Sequence, residues 1–158
     1  SLYWVGKKVT GSHEGTVNIE SGTLLLEEGS IKGGNIVVDM STVICTDCSD
    51  GQLADHLMDT DFFNVAAYPE ASIEIMGGEE VDGVFMLSGD LTIMNHTVTI
   101  DIKADVMATP ELVRASSAFT IDRTKWGVHY YSKSLLGAGA DNFIYDDVDL
   151  VVKIFATK

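Results

Sequence analysis

Apolar and polar residues alternate with period two along most of this chain, and very little of it carries helical spacing. The pattern is sharpest where Val98, Ile100, Ile102, Ala104 and Val106 interleave with Thr97, Thr99, Asp101, Lys103 and Asp105. Successive side chains of a strand point to opposite faces, so one face here is dry and the other wet. Near the chain's end Val148, Leu150, Val152, Ile154 and Ala156 repeat the pattern against Asp147, Asp149 and Lys153. On this reading strands cover 2–10, 15–30, 33–44, 70–77, 83–94, 97–107, 113–122 and 143–157. Gly11 to Gly15, Gly33-Gly34, Gly77-Gly78, Asp82-Gly83 and Met94-Asn95-His96 offer turn chemistry between them. Links this short make consecutive strands antiparallel neighbours. Pro69 and Pro110 each stand just before a strand, where a missing N–H breaks no ladder.

Two stretches interrupt the alternation. Ser49 and Gln52 have capping-box spacing and Leu53 and Leu57 lie four apart, which predicts a short amphipathic helix over 50–58. Asp59-Thr60-Asp61-Phe62-Phe63 follows as a turn-like segment, and helix and loop are expected to lie across one end of the sheet. The second stretch, 123–142, holds Trp126, Tyr130, Tyr131 and Gly137-Ala138-Gly139 and is expected to form the other large loop. The expected fold is therefore all-β: about eight antiparallel strands closed into a barrel, which removes exposed edges. Such a barrel is either just filled by its side chains or left open for one small ligand, and the pattern does not distinguish the two. The inverted arrangement, a membrane barrel, would put Asp101, Lys103, Asp105, Asp147, Asp149 and Lys153 in a narrow lumen. With 24 acids against 10 bases these charges could not all pair, and unpaired buried charge is very costly.

Composition sharpens the picture by exclusion. The 158 residues suit a single domain, 1–158, that builds its core without staples. A formal net charge of −14 repels nucleic acid and anionic lipid surfaces. No run approaches the roughly 20 apolar residues of a membrane-spanning helix, so stable membrane insertion is not expected. No basic segment followed by an apolar one opens the chain, which starts within a strand at Leu2-Tyr3-Trp4-Val5 and reads as a mature or trimmed form. Cys45 and Cys48 have the spacing of a redox pair, but the strand-helix-strand context of a thioredoxin-like site is missing. A short-loop disulfide or two free thiols is the plainer reading. His13, His56, His96 and His129 show no close ligand spacing, although His13, His129 and the cysteines are free to meet in space. His13 is expected to bond local backbone within a turn motif, and His96 to sit exposed in a tight turn. No nucleophile elbow, phosphate loop or dinucleotide fingerprint occurs. No catalytic residue and no metal ligand is assigned, and Arg123 is expected to pair with one of the abundant acids. Asn95-His96-Thr97 fits a glycosylation sequon.

Several segments together resemble the YceI-like family. Trp4 through Gly15 is similar to the family's opening, and Ile36 to Ser41, His56-Leu57, Asp61 to Val65 and Tyr68-Pro69 to its middle section. Gly89 to Ile93 and Asp122-Arg123-Thr124 through Gly127 resemble its later motifs. The resemblance covers essentially the whole chain in order. It implies an extended, eight-stranded, lipocalin-like antiparallel barrel with one short helix and an irregular loop near its ends. It further implies an apolar interior that holds a long isoprenoid, an isoprenoid quinone or a similar alkyl-chain lipid, in a periplasmic or otherwise extracytoplasmic bacterial protein without catalytic activity. Cys45-Thr46-Asp47-Cys48 and Asn95-His96 depart from the family's usual pattern.

On this reading the partner is a hydrophobic small molecule and no cofactor is needed. Interior candidates are Leu87, Leu91, Ile93, Val98, Ile100 and Ile102 on adjacent strands, with Phe119, Ile121, Val148, Leu150 and Val152 farther along the chain. Phe62, Phe63 and Trp126 are candidates for the mouth. Each methylene taken from water is worth about 0.8 kcal/mol, so a dozen carbons supply roughly 10 kcal/mol before ordering costs. Two other readings stay open: a thiol-disulfide enzyme built on Cys45 and Cys48, and a scaffold for protein interaction, including a homodimer.

Overall fold

The computed structural model describes residues 1–136 and 142–157, so the predicted Gly137-Ala138-Gly139 segment lies outside the described residues. The strands are β1 (Leu2–Lys8), β2 (Gly11–Glu27), β3 (Ser30–Cys45), β4 (Glu70–Val81), β5 (Val84–Ile93), β6 (His96–Ala108), β7 (Leu112–Asp122) and β8 (Ile144–Thr157). Each pairs antiparallel with its sequence neighbours, and β1 also pairs with β8, which closes the barrel. Closure sets Leu2 opposite Val17 on one side and Val152 on the other, so apolar faces meet all the way round. On β6, Ile102 and Ala104 are buried while Asp101, Lys103 and Asp105 are exposed, as the alternation requires. Among the described residues no helix is long and apolar enough to cross a membrane.

Three predicted turns are strand instead. The β1–β2 turn is Val9-Thr10, with Gly11 to Gly15 already in β2. Gly33-Gly34 and Gly77-Gly78 lie inside β3 and β4, and the true β2–β3 turn is Glu28-Gly29. The physical reason is close backbone approach rather than chain reversal: a Cβ on Gly78 would stand 1.8 Å from the Met86 carbonyl oxygen. Gly77, at φ +86°, marks a register shift between β4 and β5. The helix α1 (Gln52–Met58) also starts later than expected. Its N-cap is Gly51 with no side-chain cap, so the Ser49/Gln52 capping box is not formed. The Gln52 amide instead donates to the Asp50 carboxylate at 3.2 Å.

Both long connections fall at the same end of the barrel. In a simple up-and-down meander every odd-to-even link lies on one side, so β3–β4 and β7–β8 share an end with two short turns. The β7–β8 connection carries a 3-10 turn (Arg123–Trp126) and a single helical turn, α2 (Lys133–Leu136). It meets the β3–β4 connection through Tyr130, whose ring centroid lies 5.0 Å from His56 and 5.2 Å from Phe62. The other end is built of the tight Glu28-Gly29 and Asp82-Gly83 turns and the link after Ala108. β6 and β7 pair only from Ala104/Ser117 to Ala108/Val113 and separate toward the covered end. The 3-10 turn packs against β6 there.

Buried residues form two groups along the axis. Val17, Val38, Met40, Ile93, Ile121 and Trp126 belong to the covered end, and Ile31, Ile36, Ile75, Phe85, Leu87 and Ile102 to the other. Gly15 holds the covered end tight, because a Cβ there would lie 1.8 Å from the Ile44 carbonyl oxygen and 2.5 Å from the Trp4 ring. Gly6, on the neighbouring strand, has nothing within 4 Å of that position. Gly15→Ala should lower the melting temperature by more than about 4 °C, the shift expected of a 2 kcal/mol clash in a chain this long. Gly6→Ala should change stability by less than about 0.5 kcal/mol, and paired thermal melts compare the two.

Candidate ligand-binding cavity

The side chains of eight strands do not fill this barrel. A cavity of about 230 Å³ remains between them. At 10–15 Å³ for each enclosed water-sized group, that is room for on the order of fifteen such groups. The wall runs along β8 from Ile144 to Ile154. At 3.4 Å per residue and a strand tilt near 40°, this spans roughly 26 Å of the axis. Small wall residues explain the void. Ala71, Ala104, Ala115 and Ser117 stand where larger side chains would meet across the middle.

Of the residues expected inside, Leu87, Leu91, Ile93, Ile102, Phe119 and Ile121 line the cavity, as do Val148, Leu150 and Val152. Val98 and Ile100 do not. Both face inward; Val98 packs against the covered-end core group and Ile100 against both groups. Phe62, Phe63 and Trp126 also reach the cavity, yet Phe62 and Trp126 are buried, so they stopper the covered end rather than rim an open mouth. The indole Nε1 of Trp126 donates to the Leu91 carbonyl at 2.9 Å and pins the stopper to the wall.

The sequence reading left out the wall supplied by the first three strands: Leu2, Trp4, Val17, Ile19, Ile36 and Val38. Ile36, Val38 and Met40 do alternate, so β3 carried a usable signal. β2 does not, because register shifts between Thr16 and Asn18 and between Ile19 and Ser21 break its phase. Trp4 matters most for chemistry. Its Nε1 is the one buried side-chain nitrogen or oxygen among the described residues without a hydrogen-bond partner, and its side chain lines the cavity.

Arg123 pairs with an acid, as expected, but its nearer partners are backbone carbonyls. Its side chain is 3% exposed and donates to four backbone carbonyls, those of Val128 (3.0 Å), Tyr130 (2.9 Å), Tyr145 (3.2 Å) and Ile144 (3.3 Å). Asp146 stands 4.0 Å away, and the guanidinium lies 5.9 Å from the Phe62 ring centre. Burial lowers the Arg123 pKa, against the pull of Asp146 and Asp122. With four donors committed, Arg123 is a clasp that ties the β7–β8 connection to β8, not a free head-group ligand.

Asp146 completes the clasp by accepting from the Ser132 hydroxyl and, at 3.2 Å, from the Ser134 amide. Burial pushes its carboxyl up, but these hydrogen bonds and Arg123 outweigh that and leave it below the usual carboxylate range. The two cysteines form a Cys45–Cys48 disulfide. α1 begins at Gln52, just beyond the disulfide, and with both sulfurs bonded neither is a free thiol. His13 turns not to local backbone but toward Asp47 and Cys48, at 3.4 Å and 3.8 Å. His56 sits 2.9 Å from Asp61, while His96 is exposed, as expected, but opens β6 just past the Met94-Asn95 turn.

A pH prediction follows from Asp146. Its folded pKa is depressed, so its stabilisation is complete above the ordinary carboxylate range and disappears as pH falls through the depressed value. Asp146→Asn should cost about 1 kcal/mol at neutral pH. That difference from the parent protein should shrink as the pH falls below the ordinary carboxylate range, as urea midpoints at neutral and acid pH will report.

The comparisons agree with this architecture. A family model described as a YceI-like domain matches residues 2–156. Burkholderia cenocepacia BcnA superposes with a TM-score of 0.78 at 16% identity, covering 99% of this chain and 95% of that one. A Campylobacter jejuni YCEI protein gives 0.70 at 17% identity over 90% of this chain and 84% of that one. A polyisoprenoid binding domain from Saccharophagus degradans, implicated in plant cell wall breakdown, gives 0.67 at 16% identity over 98% and 91%. At these identities the superpositions establish the fold alone. No curated protein matches the sequence.

Proposed function

The chain belongs to the YceI-like domain family, and from that premise we propose that it binds one long-chain isoprenoid, isoprenoid quinone or similar amphiphilic lipid inside its barrel, without catalysing a reaction on it. The observation that carries the reading is the elongated apolar void, which water occupies poorly and hydrocarbon occupies well. A neighbour of the same fold being a polyisoprenoid binding domain supports the same ligand class. Recognition is by length and width of the chain, since Arg123, the charged residue on the wall, has its donors committed to carbonyls. Trp4 Nε1 adds one polar requirement. An unpaired buried donor costs about 1–3 kcal/mol, and a ligand carbonyl or ether oxygen beside it would remove that cost. An extracytoplasmic location fits the Cys45–Cys48 disulfide, because disulfides persist in oxidising compartments.

The test is extraction. Protein purified from a bacterial host under detergent-free conditions should release one amphiphilic lipid per chain, identified by mass spectrometry of an organic extract. Val152→Trp, which fills the wall opposite Ser117, should cut the recovered lipid at least about tenfold while leaving strand content unchanged. Recovery of the parent amount from that variant sinks the cavity reading. Trp4→Phe keeps the ring and deletes the unpaired donor, so stability should hold or rise. Its affinity for a carbonyl-bearing chain should fall several-fold while affinity for a plain long-chain hydrocarbon stays level.

A further inference from the structure

His13, Cys45, Asp47 and Cys48 form a cluster that lipid binding leaves unused. Cys45 ends β3 opposite Gly15 of β2. The chain beyond it is fastened to β2, as the Asp47 carboxylate accepts from the Glu14 amide at 3.1 Å and the Thr46 amide donates to the Glu14 carbonyl at 2.9 Å. His13 stands on the same face of β2 as Gly15, two residues earlier, which brings its ring to this corner. His13 Nδ1 lies 3.4 Å from Asp47 Oδ1 and 3.8 Å from Cys48 Sγ. Asp47 Oδ1 lies 3.1 Å from Cys45 Sγ and 4.0 Å from Cys48 Sγ. All four donor atoms fall within 4.8 Å of one another.

A tetrahedral zinc ion holds thiolates at about 2.3 Å and imidazole or carboxylate at about 2.0–2.2 Å, which sets neighbouring ligand atoms roughly 3.3–3.8 Å apart. The four contacts above are within a few tenths of an ångström of that spacing. Of the two remaining edges, His13 to Cys45 falls within 4.8 Å and the bonded sulfurs stand far closer than that spacing. His13 and Asp47 are 37% and 39% exposed, so an ion reaches them directly from solvent. We infer that this corner is a redox-gated zinc site, in which reduction of the Cys45–Cys48 disulfide lets both thiolates, His13 and Asp47 take up one zinc ion.

The step balances with a dithiol as reductant. One thiolate of the reductant attacks a sulfur of the disulfide, the Cys45–Cys48 bond breaks, and the second reductant thiol closes its own disulfide. Two electrons and two protons thereby pass to Cys45 and Cys48, and zinc later displaces those protons to solvent. Sulfur and imidazole ligands select zinc over magnesium or calcium, which prefer all-oxygen shells. In the oxidised form the sulfurs carry no charge, and His13 and Asp47 alone are too few for a tight site. Disulfide and zinc would hold the same connection to β2, so the barrel persists in either state. The inference does not depend on lipid binding.

The chain, oxidised or phosphine-reduced under anaerobic conditions, would be titrated with Zn²⁺ against a chromophoric chelator and with Co²⁺ as a spectroscopic probe. The reduced form should bind one ion per chain, show a thiolate-to-cobalt charge-transfer band, and exceed the oxidised form in affinity at least about a hundredfold. His13→Gln should weaken zinc binding at least about tenfold. Equal affinity of the two redox forms overturns the inference, and so does unchanged affinity in His13→Gln. Loss of the strand circular-dichroism signal on reduction also overturns it, because the site needs β2 to hold His13 in place.

Discussion

A sheet that closes on itself must give one entire face to its interior, and here the pairing of β1 with β8 imposes that demand on every strand. Once Leu2 is fixed between Val17 and Val152, a one-residue slip anywhere would turn a row of charges such as Asp101, Lys103 and Asp105 inward. The register is therefore held by the hydrophobic effect acting on whole faces rather than by any single contact. What the interior becomes then depends on side-chain volume. Alanines at 71, 104 and 115 and the serine at 117 leave a gap along the axis that the larger aliphatics of the other strands do not reach across.

The two ends of that gap are built differently. One carries only tight turns, while the other is covered by both long connections, stoppered by Phe62 and Trp126 and clasped by Arg123. Arg123 shows how a buried charge is tolerated: four carbonyls take its N–H groups and Asp146 sits close by. The same bonds that make the burial affordable also explain why the loop before β8 lies against the strand. The separation of β6 from β7 at this end is filled by the 3-10 turn.

The barrel itself could be read from the alternation in β5, β6 and β8 from Val148 onward, past the register shift against β1, and the inward residues named from those strands line the cavity except Val98 and Ile100. Those two face inward, as expected, but pack within the core groups rather than on the cavity wall. The wall contributed by β2 stayed hidden because register shifts change which residue parity points inward. Gly33-Gly34 and Gly77-Gly78 were misread as turns because glycine serves close backbone approach as readily as chain reversal. The meeting of His13 with Cys48 had no signal in spacing, since it is created by the pairing of β2 with β3 across 35 residues of chain.

The account stands on hydrocarbon entering the void between the strands. Trp4 and Trp126 are the chain's two tryptophans, and both line that void. The most direct measurement is tryptophan quenching in delipidated, folded protein titrated with a long-chain alcohol brominated along its length. Saturable quenching of both tryptophans at one probe per chain is the predicted result. Fluorescence that stays unquenched while the barrel remains folded would contradict it.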